Sequence, residues 1–98
     1  MQTPKITVLM PVYNGEKYLR ESIESILNQT FRDFEFLIIN DASTDNSKNI
    51  INSFKDSRIK LVENEENIGL ARSLNKGLEI AEGEFIARMD ADDISYPQ

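Results

Sequence analysis

The stretch ITVLMPVYNG, residues 6–15, decides the fold of this chain. Its first seven residues are almost all apolar or β-branched, and the polar sequence YNG follows at once. An apolar run of this kind, closed by turn residues, is typical of a parallel strand that is buried on both faces. Such strands occur in α/β proteins, in which helices cover both faces of the sheet. The stretch therefore predicts an α/β fold.

Three more strand-like stretches alternate with helical patterns along the chain. The strands are predicted over residues 34–40 (FEFLIIN), 58–64 (RIKLVEN) and 84–89 (EFIARM). Apolar residues at helical spacing predict three helices between them, with these buried positions: Leu19, Ile23, Ile26, Leu27; Ile50, Ile51, Phe54; Leu70, Leu74, Leu78, Ala81. Asn14 is expected to cap the first helix, and Gly83 to end the third. The order β-α-β-α-β-α-β specifies a mainly parallel, four-stranded sheet flanked by helices.

The composition is that of one small domain, predicted to span residues 1–98. Hydrophobic residues make up 40% of the chain, too many for a disordered segment. The absence of Cys and His excludes disulfides, the usual zinc ligands and the usual general base. A net charge of −6 argues against nucleic acid as a partner. Because the chain has neither a long apolar run nor a signal peptide, it is expected to be cytoplasmic.

A polar loop follows each predicted strand, and in a parallel sheet these loops share the edge at which ligands bind. The last loop, DADD, places three carboxylates (Asp90, Asp92 and Asp93) directly after a strand. In an extended segment Asp90 and Asp92 point the same way, so both can reach one ion. Oxygen ligands suit Mg²⁺ or Mn²⁺, which could carry a diphosphate past the negative surface. A solvated acidic loop without a ligand explains the same residues.

Other residues at this edge could contact a nucleotide. Asp41 directly follows the second strand and could accept a hydrogen bond from a base N–H, although its neighbours also suit helix capping. Tyr13 offers a flat face to a base, with Pro11 stiffening the approach, but ordinary packing also explains a lone Tyr there. Arg72 could contact a nucleotide or pair with a nearby acid. No G-x-G-x-x-G follows the first strand, which argues against an NAD enzyme.

Four stretches occur along the chain in this order: VLMPVYNGEKYLRESIESILNQTF, FEFLIINDASTDNS, NIGLARSLNKGL and GEFIARMDADD. In sequence and spacing they resemble the nucleotide-binding half of the family 2 glycosyltransferases, inverting enzymes with the Rossmann-like GT-A fold. The resemblance covers residues 5–98. It implies transfer of a sugar from a nucleotide-diphosphate donor, with UDP favoured, to a hydroxyl group of a saccharide or lipid-linked acceptor. The acceptor oxygen would attack the anomeric carbon opposite the leaving diphosphate and invert its configuration.

The same resemblance implies roles for single residues. The residues after the first strand would line the base pocket, and the aspartate after the second would bond the base. The implied nucleotide-binding residues are Pro11, Val12, Tyr13, Asp41, Gly69, Arg72 and Asp90. Asp92 would be the direct ligand of Mn²⁺ or Mg²⁺, with Asp90 and Asp93 beside it.

The family's acceptor-binding segments and general base are expected beyond Gln98. The chain is therefore expected to be a truncated N-terminal portion, inactive alone, of an enzyme that could associate with membranes at full length. The exposed edge of its last strand could drive self-association. Three alternatives stay open: a non-catalytic nucleotide-binding fragment, a receiver-type signalling domain and a nucleotidyltransferase. A receiver would need acids after the first strand, and a nucleotidyltransferase would need a glycine-rich loop there.

Overall fold

The computed structural model describes residues 5–28 and 33–89. Its strands are β1 (Ile6–Val12), β2 (Phe34–Asn40), β3 (Ile59–Glu63) and β4 (Phe85–Arg88). Its helices are α1 (Glu16–Leu27), α2 (Ser47–Asn52) and α3 (Leu70–Ile80). The strands form one sheet in the order β3-β2-β1-β4, in which every neighbouring pair is parallel. The predicted α/β architecture is confirmed. No helix in the described ranges is long and apolar enough to cross a membrane.

One face of the sheet is covered by α1 and α2, and the main core lies there. Alternate residues of β1 and β2 face these helices, as the two-residue period of a strand requires. The buried members of this core are Val8, Met10, Val12, Leu19, Ile23, Ile26, Phe34, Phe36, Ile38, Ile50 and Ile51. Each large side chain fully buried here contributes about 1.5–3 kcal/mol. This core packs α1 and α2 against the sheet.

The opposite face is covered by α3, which lies very close to β1. A Cβ atom on Gly77 would sit 2.3 Å from Leu9 Cδ1, so a larger residue at this position would require the Leu9 side chain to move. The helix residues buried most deeply are therefore small ones, Ser73 and Gly77. The predicted apolar stripe is correct for Leu74, which packs on the sheet, but wrong for Leu70 and Leu78, which are 46% and 47% exposed.

Two predicted helix ends also differ from the structure. The N-cap of α1 is Gly15 rather than Asn14. The C-cap of α3 is Ala81 in an extended conformation, so Gly83 is not the helix-ending glycine. Gly83 instead meets the sheet: a Cβ atom there would lie 2.4 Å from the backbone nitrogen of Thr7.

A buried carboxylate holds the amino end of the sheet together. The Glu35 side chain is 4% exposed and lies 2.9 Å from Lys60 Nζ. It also accepts hydrogen bonds from the Thr7 hydroxyl and from the Glu82 N–H. These contacts join β1, β2, β3 and the segment after α3, at the edge opposite the loops that follow the strands.

Candidate functional site

The carboxyl ends of β1, β2 and β3 lie level at one edge of the sheet. Val12 pairs with Asn40, which pairs with Glu63. Backbone bonding continues one residue further: the Asp41 N–H donates to the Val12 carbonyl at 2.7 Å, and the Asn64 N–H donates to the Asn40 carbonyl at 2.9 Å. The loops after these strands are therefore neighbours, and they form the candidate site.

The loop after β1 presents an aromatic ring to solvent. Pro11 and Val12 are buried within the strand, whereas Tyr13 is 45% exposed. The next residue, Asn14, has a left-handed backbone with a φ of 51°. Of the three residues predicted to line a base pocket, Tyr13 is the one that offers surface to a ligand. Pro11 and Val12 form the strand end that supports it.

The Asp41 carboxylate is buried at the centre of a hydrogen-bond network. Oδ1 accepts hydrogen bonds from Asn64 Nδ2 and from the Ile68 N–H, both at 2.9 Å, and Oδ2 accepts the Gly69 N–H at 2.9 Å. Asn64 Nδ2 also donates to Ser73 Oγ at 3.0 Å. The carboxylate thus ties the end of β2 to the loop that precedes α3.

The hydrogen bonds to Asp41 also decide its charge. Burial alone would raise the pKa of this carboxyl group, because water no longer solvates its anion. Hydrogen bonds from Ile68, Asn64, Gly69 and Ser73 outweigh burial and lower the pKa of Asp41 below its ordinary value. Asp41 is therefore an anion at neutral pH, fully bonded inside the protein. The structure does not bring this predicted base acceptor to the surface.

Gly69 and Arg72 lie at the start of α3, as predicted. Gly69 is the N-cap and has a φ of 92° and a ψ of 153°, a backbone conformation essentially restricted to glycine. Arg72 is exposed in the first turn of the helix. Within residues 5–28 and 33–89, Arg72 forms no ion pair with Asp41, Glu65 or Glu66. The alternative prediction, an ion pair between Arg72 and a nearby acidic residue, is therefore not observed among the described residues.

A cleft of about 610 Å³ opens beside the end of β3. It is lined by Glu63, Asn64, Glu65, Glu66, Ile68 and Lys76. Lys76 Nζ donates to Asn64 Oδ1 at 2.7 Å, which turns the nitrogen of this amide towards Asp41 and Ser73. The cleft therefore borders the buried hydrogen-bond network of Asp41. Lys76, which lines the cleft, holds Asn64 of this network in place.

Asn40 is a polar residue at this edge that the sequence analysis did not nominate. It is 3% exposed, and its Oδ1 accepts the Ser43 hydroxyl hydrogen bond at 2.6 Å. Among the described residues no group accepts a hydrogen bond from Asn40 Nδ2. The signal in the sequence is its position, as the one amide that ends the otherwise apolar run FLIIN.

The chain matches the model of one protein family, Glycosyl transferase family 2, over residues 7–98. It belongs to this family. One relative, the uncharacterized glycosyltransferase MJ1057 of Methanocaldococcus jannaschii, is 47% identical over 102 residues, which cover 100% of this chain and 35% of the relative. The chain spans roughly a third of the length of the curated relatives it matches. Membership of the family argues against the receiver-domain and nucleotidyltransferase alternatives.

Two solved structures have the same fold as this family 2 chain. TarS 1-349 of S. aureus in complex with UDP-GlcNAc is 35% identical, with a TM-score of 0.87 over 92% of this chain and 27% of that one. The mannosyltransferase PcManGT of Pyrobaculum calidifontis, in complex with GDP-Man and Mn²⁺, is 30% identical, with a TM-score of 0.85 over 96% of this chain and 29% of that one. The predicted Rossmann-like GT-A fold is confirmed.

The metal ligands predicted for this family 2 chain, Asp90, Asp92 and Asp93, lie outside the described residues. In the part of the chain that the structure describes, no group of three or more His, Cys, Asp or Glu side chains could hold a metal ion. The Met89 N–H donates to the Leu9 carbonyl at 2.9 Å, so the backbone still runs beside β1 at residue 89. The metal site stays a prediction.

Proposed function

We propose that this chain forms the donor-binding part of an inverting family 2 glycosyltransferase whose donor is a nucleotide-diphosphate sugar, with UDP as the nucleotide. The observation that carries the proposal is the shared edge at the ends of β1, β2 and β3 in a chain of this family. In parallel α/β sheets, ligands bind outside the carboxyl ends of the strands. The same fold is found in the UDP-GlcNAc complex of TarS and in the GDP-Man complex of PcManGT.

The groups that lie at this edge suit a nucleotide. The Tyr13 ring offers a face on which a base can stack, a contact worth about 1–3 kcal/mol. Asn40 Nδ2 could donate to a carbonyl oxygen of the base, since Oδ1 of the same amide already accepts from Ser43. Arg72 could pair with a phosphate. Asp41 would act indirectly, by holding the loop that carries Gly69 against the strand ends.

The three carboxylates after β4 suit a hard dication, because Mn²⁺ and Mg²⁺ prefer oxygen ligands. We assign Asp92 as the direct ligand, Asp90 to the ribose and the metal, and Asp93 as a further acid beside them. A bound dication would offset the charge that develops on the diphosphate leaving group. The Mn²⁺ in the PcManGT complex supports a divalent ion in this type of enzyme.

The full reaction would transfer a hexose to a hydroxyl group of a saccharide or lipid-linked acceptor. The acceptor oxygen would bond to the anomeric carbon while the bond to the diphosphate breaks on the opposite side, and a carboxylate would accept the acceptor's proton. We place that base beyond Gln98, in the part of the relatives' length that this chain does not span. We further propose that the protein is cytoplasmic and that at full length it can associate with a membrane.

Calorimetric titration of the chain with UDP, GDP and CDP, each with and without Mn²⁺, tests the proposal. We expect UDP to bind most tightly, and about tenfold more weakly without the metal, a difference of about 1.4 kcal/mol. Tighter binding of GDP would show that the choice of nucleotide is wrong while the donor-binding role is correct. A chain that binds none of the three nucleotides would overturn the proposal.

The position of β4 at one edge of the described sheet supports a second, separate proposal that the chain self-associates. In the described sheet β4 pairs on one side, with β1. Phe85 and Ile86 on this strand are 60% and 40% exposed. An unpaired apolar edge recruits partner strands. Sedimentation should show a dimer that Phe85→Lys abolishes, and a wild-type chain that stays monomeric at millimolar concentration would disprove this.

A further inference from the structure

Asn14 joins the loop after β1 to the loop after β2. Its N–H donates to Ser43 Oγ at 3.0 Å, and its Oδ1 accepts the Thr44 N–H at 2.8 Å and the Asp45 N–H at 3.3 Å. We call the hydrogen bonds between Asn14 and residues 43–45 the Asn14 clasp. The left-handed backbone of Asn14, with a φ of 51°, points both groups at the second loop. Asn tolerates that conformation better than most side chains do.

A second set of hydrogen bonds runs in the same direction, one residue further along. The Gly15 N–H donates to Ser47 Oγ at 3.0 Å, and the Glu16 N–H donates to Asp45 Oδ2 at 3.2 Å. The other oxygen of this carboxylate accepts the Ser47 N–H at 2.9 Å. One aspartate therefore bonds the first amides of both α1 and α2. The two loops form a single hydrogen-bonded unit.

Tyr13 lies between two fixed points of this unit. On one side Val12 is fully buried in β1, and its carbonyl accepts the Asp41 N–H at 2.7 Å. On the other side Asn14 is held by the clasp. The backbone of Tyr13 is therefore fixed at both ends, while 45% of the residue is exposed at the candidate site.

We propose that Asn14 is a positioning residue, whose clasp fixes the Tyr13 backbone so that the ring is already placed to stack on the nucleobase of the donor. The inference rests on the proposed function. A ring that is ordered before binding loses less conformational freedom when the ligand arrives, so more of the stacking energy appears as affinity. The clasp should therefore affect the affinity for ligands that carry a base and leave other ligands unaffected.

A capping role for Asn14 does not account for these contacts. The N-cap of α1 is Gly15, and no side chain at that position bonds the helix. The Asn14 side chain bonds Thr44 and Asp45, which lie 30 and 31 residues away in the sequence. These hydrogen bonds thus connect the two loops and do not cap the first turn of α1.

Asn14→Gly tests the inference, because glycine keeps the left-handed backbone and removes the Oδ1 acceptor. We expect this variant to bind UDP about tenfold more weakly with Mn²⁺ present, which is within the range of one base stacking contact. Binding of ribose 5-diphosphate, which has no base, should change less than about twofold. That second titration also shows that the variant is folded. Asn52→Gly, the same substitution at the exposed end of α2, should bind both ligands as the wild type does.

A double-mutant cycle with Tyr13→Ala shows whether Asn14 affects UDP affinity through the Tyr13 ring or through a general disturbance of the fold. If Asn14 acts through the ring, Asn14→Gly costs no further UDP affinity once Tyr13 is replaced. Equal losses of UDP and ribose 5-diphosphate binding, or additive losses in the double variant, would overturn the inference. So would a wild type that binds UDP and an Asn14→Gly variant that binds it equally well, a result that leaves the proposed function intact. A wild type that binds no nucleotide would overturn both.

Discussion

The Gly69 N–H donates to Asp41 Oδ2 at 2.9 Å, across 28 positions of sequence. This bond holds Gly69, the N-cap of α3, against the end of β2. A carboxylate is well placed there, because the N-terminus of a helix carries partial positive charge. The position of α3 on the sheet, and of Arg72 in its first turn, therefore depends on a buried anion in the neighbouring strand.

Replacing Asp41 should lower the stability of the fold, because its carboxylate bonds other parts of the protein rather than a ligand. Asp41→Ala leaves the Ile68 and Gly69 N–H groups and the Asn64 amide without their acceptor, and each such loss costs about 1–3 kcal/mol. We expect the free energy of unfolding in urea to fall by about 3 kcal/mol or more. Asp33→Ala, which removes an exposed carboxylate, should change it by less than about 0.5 kcal/mol.

A second variant, Asp41→Asn, decides whether Asp41 touches the base. An Asp41→Asn chain that unfolds like the wild type but loses UDP affinity would show that the carboxylate contacts the ligand directly and that the network is incidental.

Gly69→Ala should destabilise the chain by about 1–3 kcal/mol, because its φ of 92° and ψ of 153° suit glycine alone. A Cβ atom there would meet nothing within 4 Å, so the cost arises from the backbone and not from a clash. Urea unfolding measures the loss. D-alanine at this position, introduced by chemical ligation, tolerates a positive φ and should restore most of the stability. If D-alanine and L-alanine destabilise equally, the backbone explanation is wrong.

The strands could be predicted from the sequence because their apolar runs are bounded by turn residues. β1 and β2 have the predicted bounds, and β3 and β4 are shorter by one residue at each end. The buried side of α3 could not be predicted from large apolar residues. Its close contact with Leu9 is made at Gly77, which carries no side chain, and that contact becomes visible only when helix and sheet are placed together.

The edge that carries the candidate site could also be predicted, but not which partners its polar side chains meet. Successive strand residues face opposite sides of a sheet, so Asn40 and Asp41 have different surroundings. Asp41 meets Asn64, Ile68 and Gly69, more than 20 residues away. No local pattern in the sequence reports those partners.

The ion pair of Glu35 should make the chain less stable in acid. Burial raises the pKa of Glu35, but hydrogen bonds from Thr7, Lys60 and the Glu82 N–H outweigh it and lower the pKa below 4.5. A carboxyl group whose pKa is lower in the folded state stabilises the fold above its unfolded pKa, and this contribution is lost as the pH falls through the folded pKa. The wild type should therefore be more stable than Glu35→Gln at pH 7, and the difference should shrink as the pH falls below 4.5.

Urea unfolding of both chains at pH 7, 4.5 and 3 measures this difference. Glu66→Gln changes the same group on the exposed surface and should follow the wild type throughout. A gap between wild type and Glu35→Gln that stays constant with pH would show that the carboxylate contributes through packing alone.

Asp92→Ala should remove the metal dependence of nucleotide binding. If the carboxylate ligates Mn²⁺ that bridges to the diphosphate, the variant should bind UDP about tenfold more weakly with Mn²⁺ present, and adding the metal should no longer help. Glu21→Ala removes one negative charge from the exposed face of α1, so it controls for the change in net charge and should keep the full metal effect. The comparison matters in a chain of net charge −6, because any lost carboxylate reduces repulsion of a nucleotide. An Asp92→Ala chain that still binds UDP more tightly with Mn²⁺ would place the ion on other ligands, and Asp93→Ala would then be the variant to titrate.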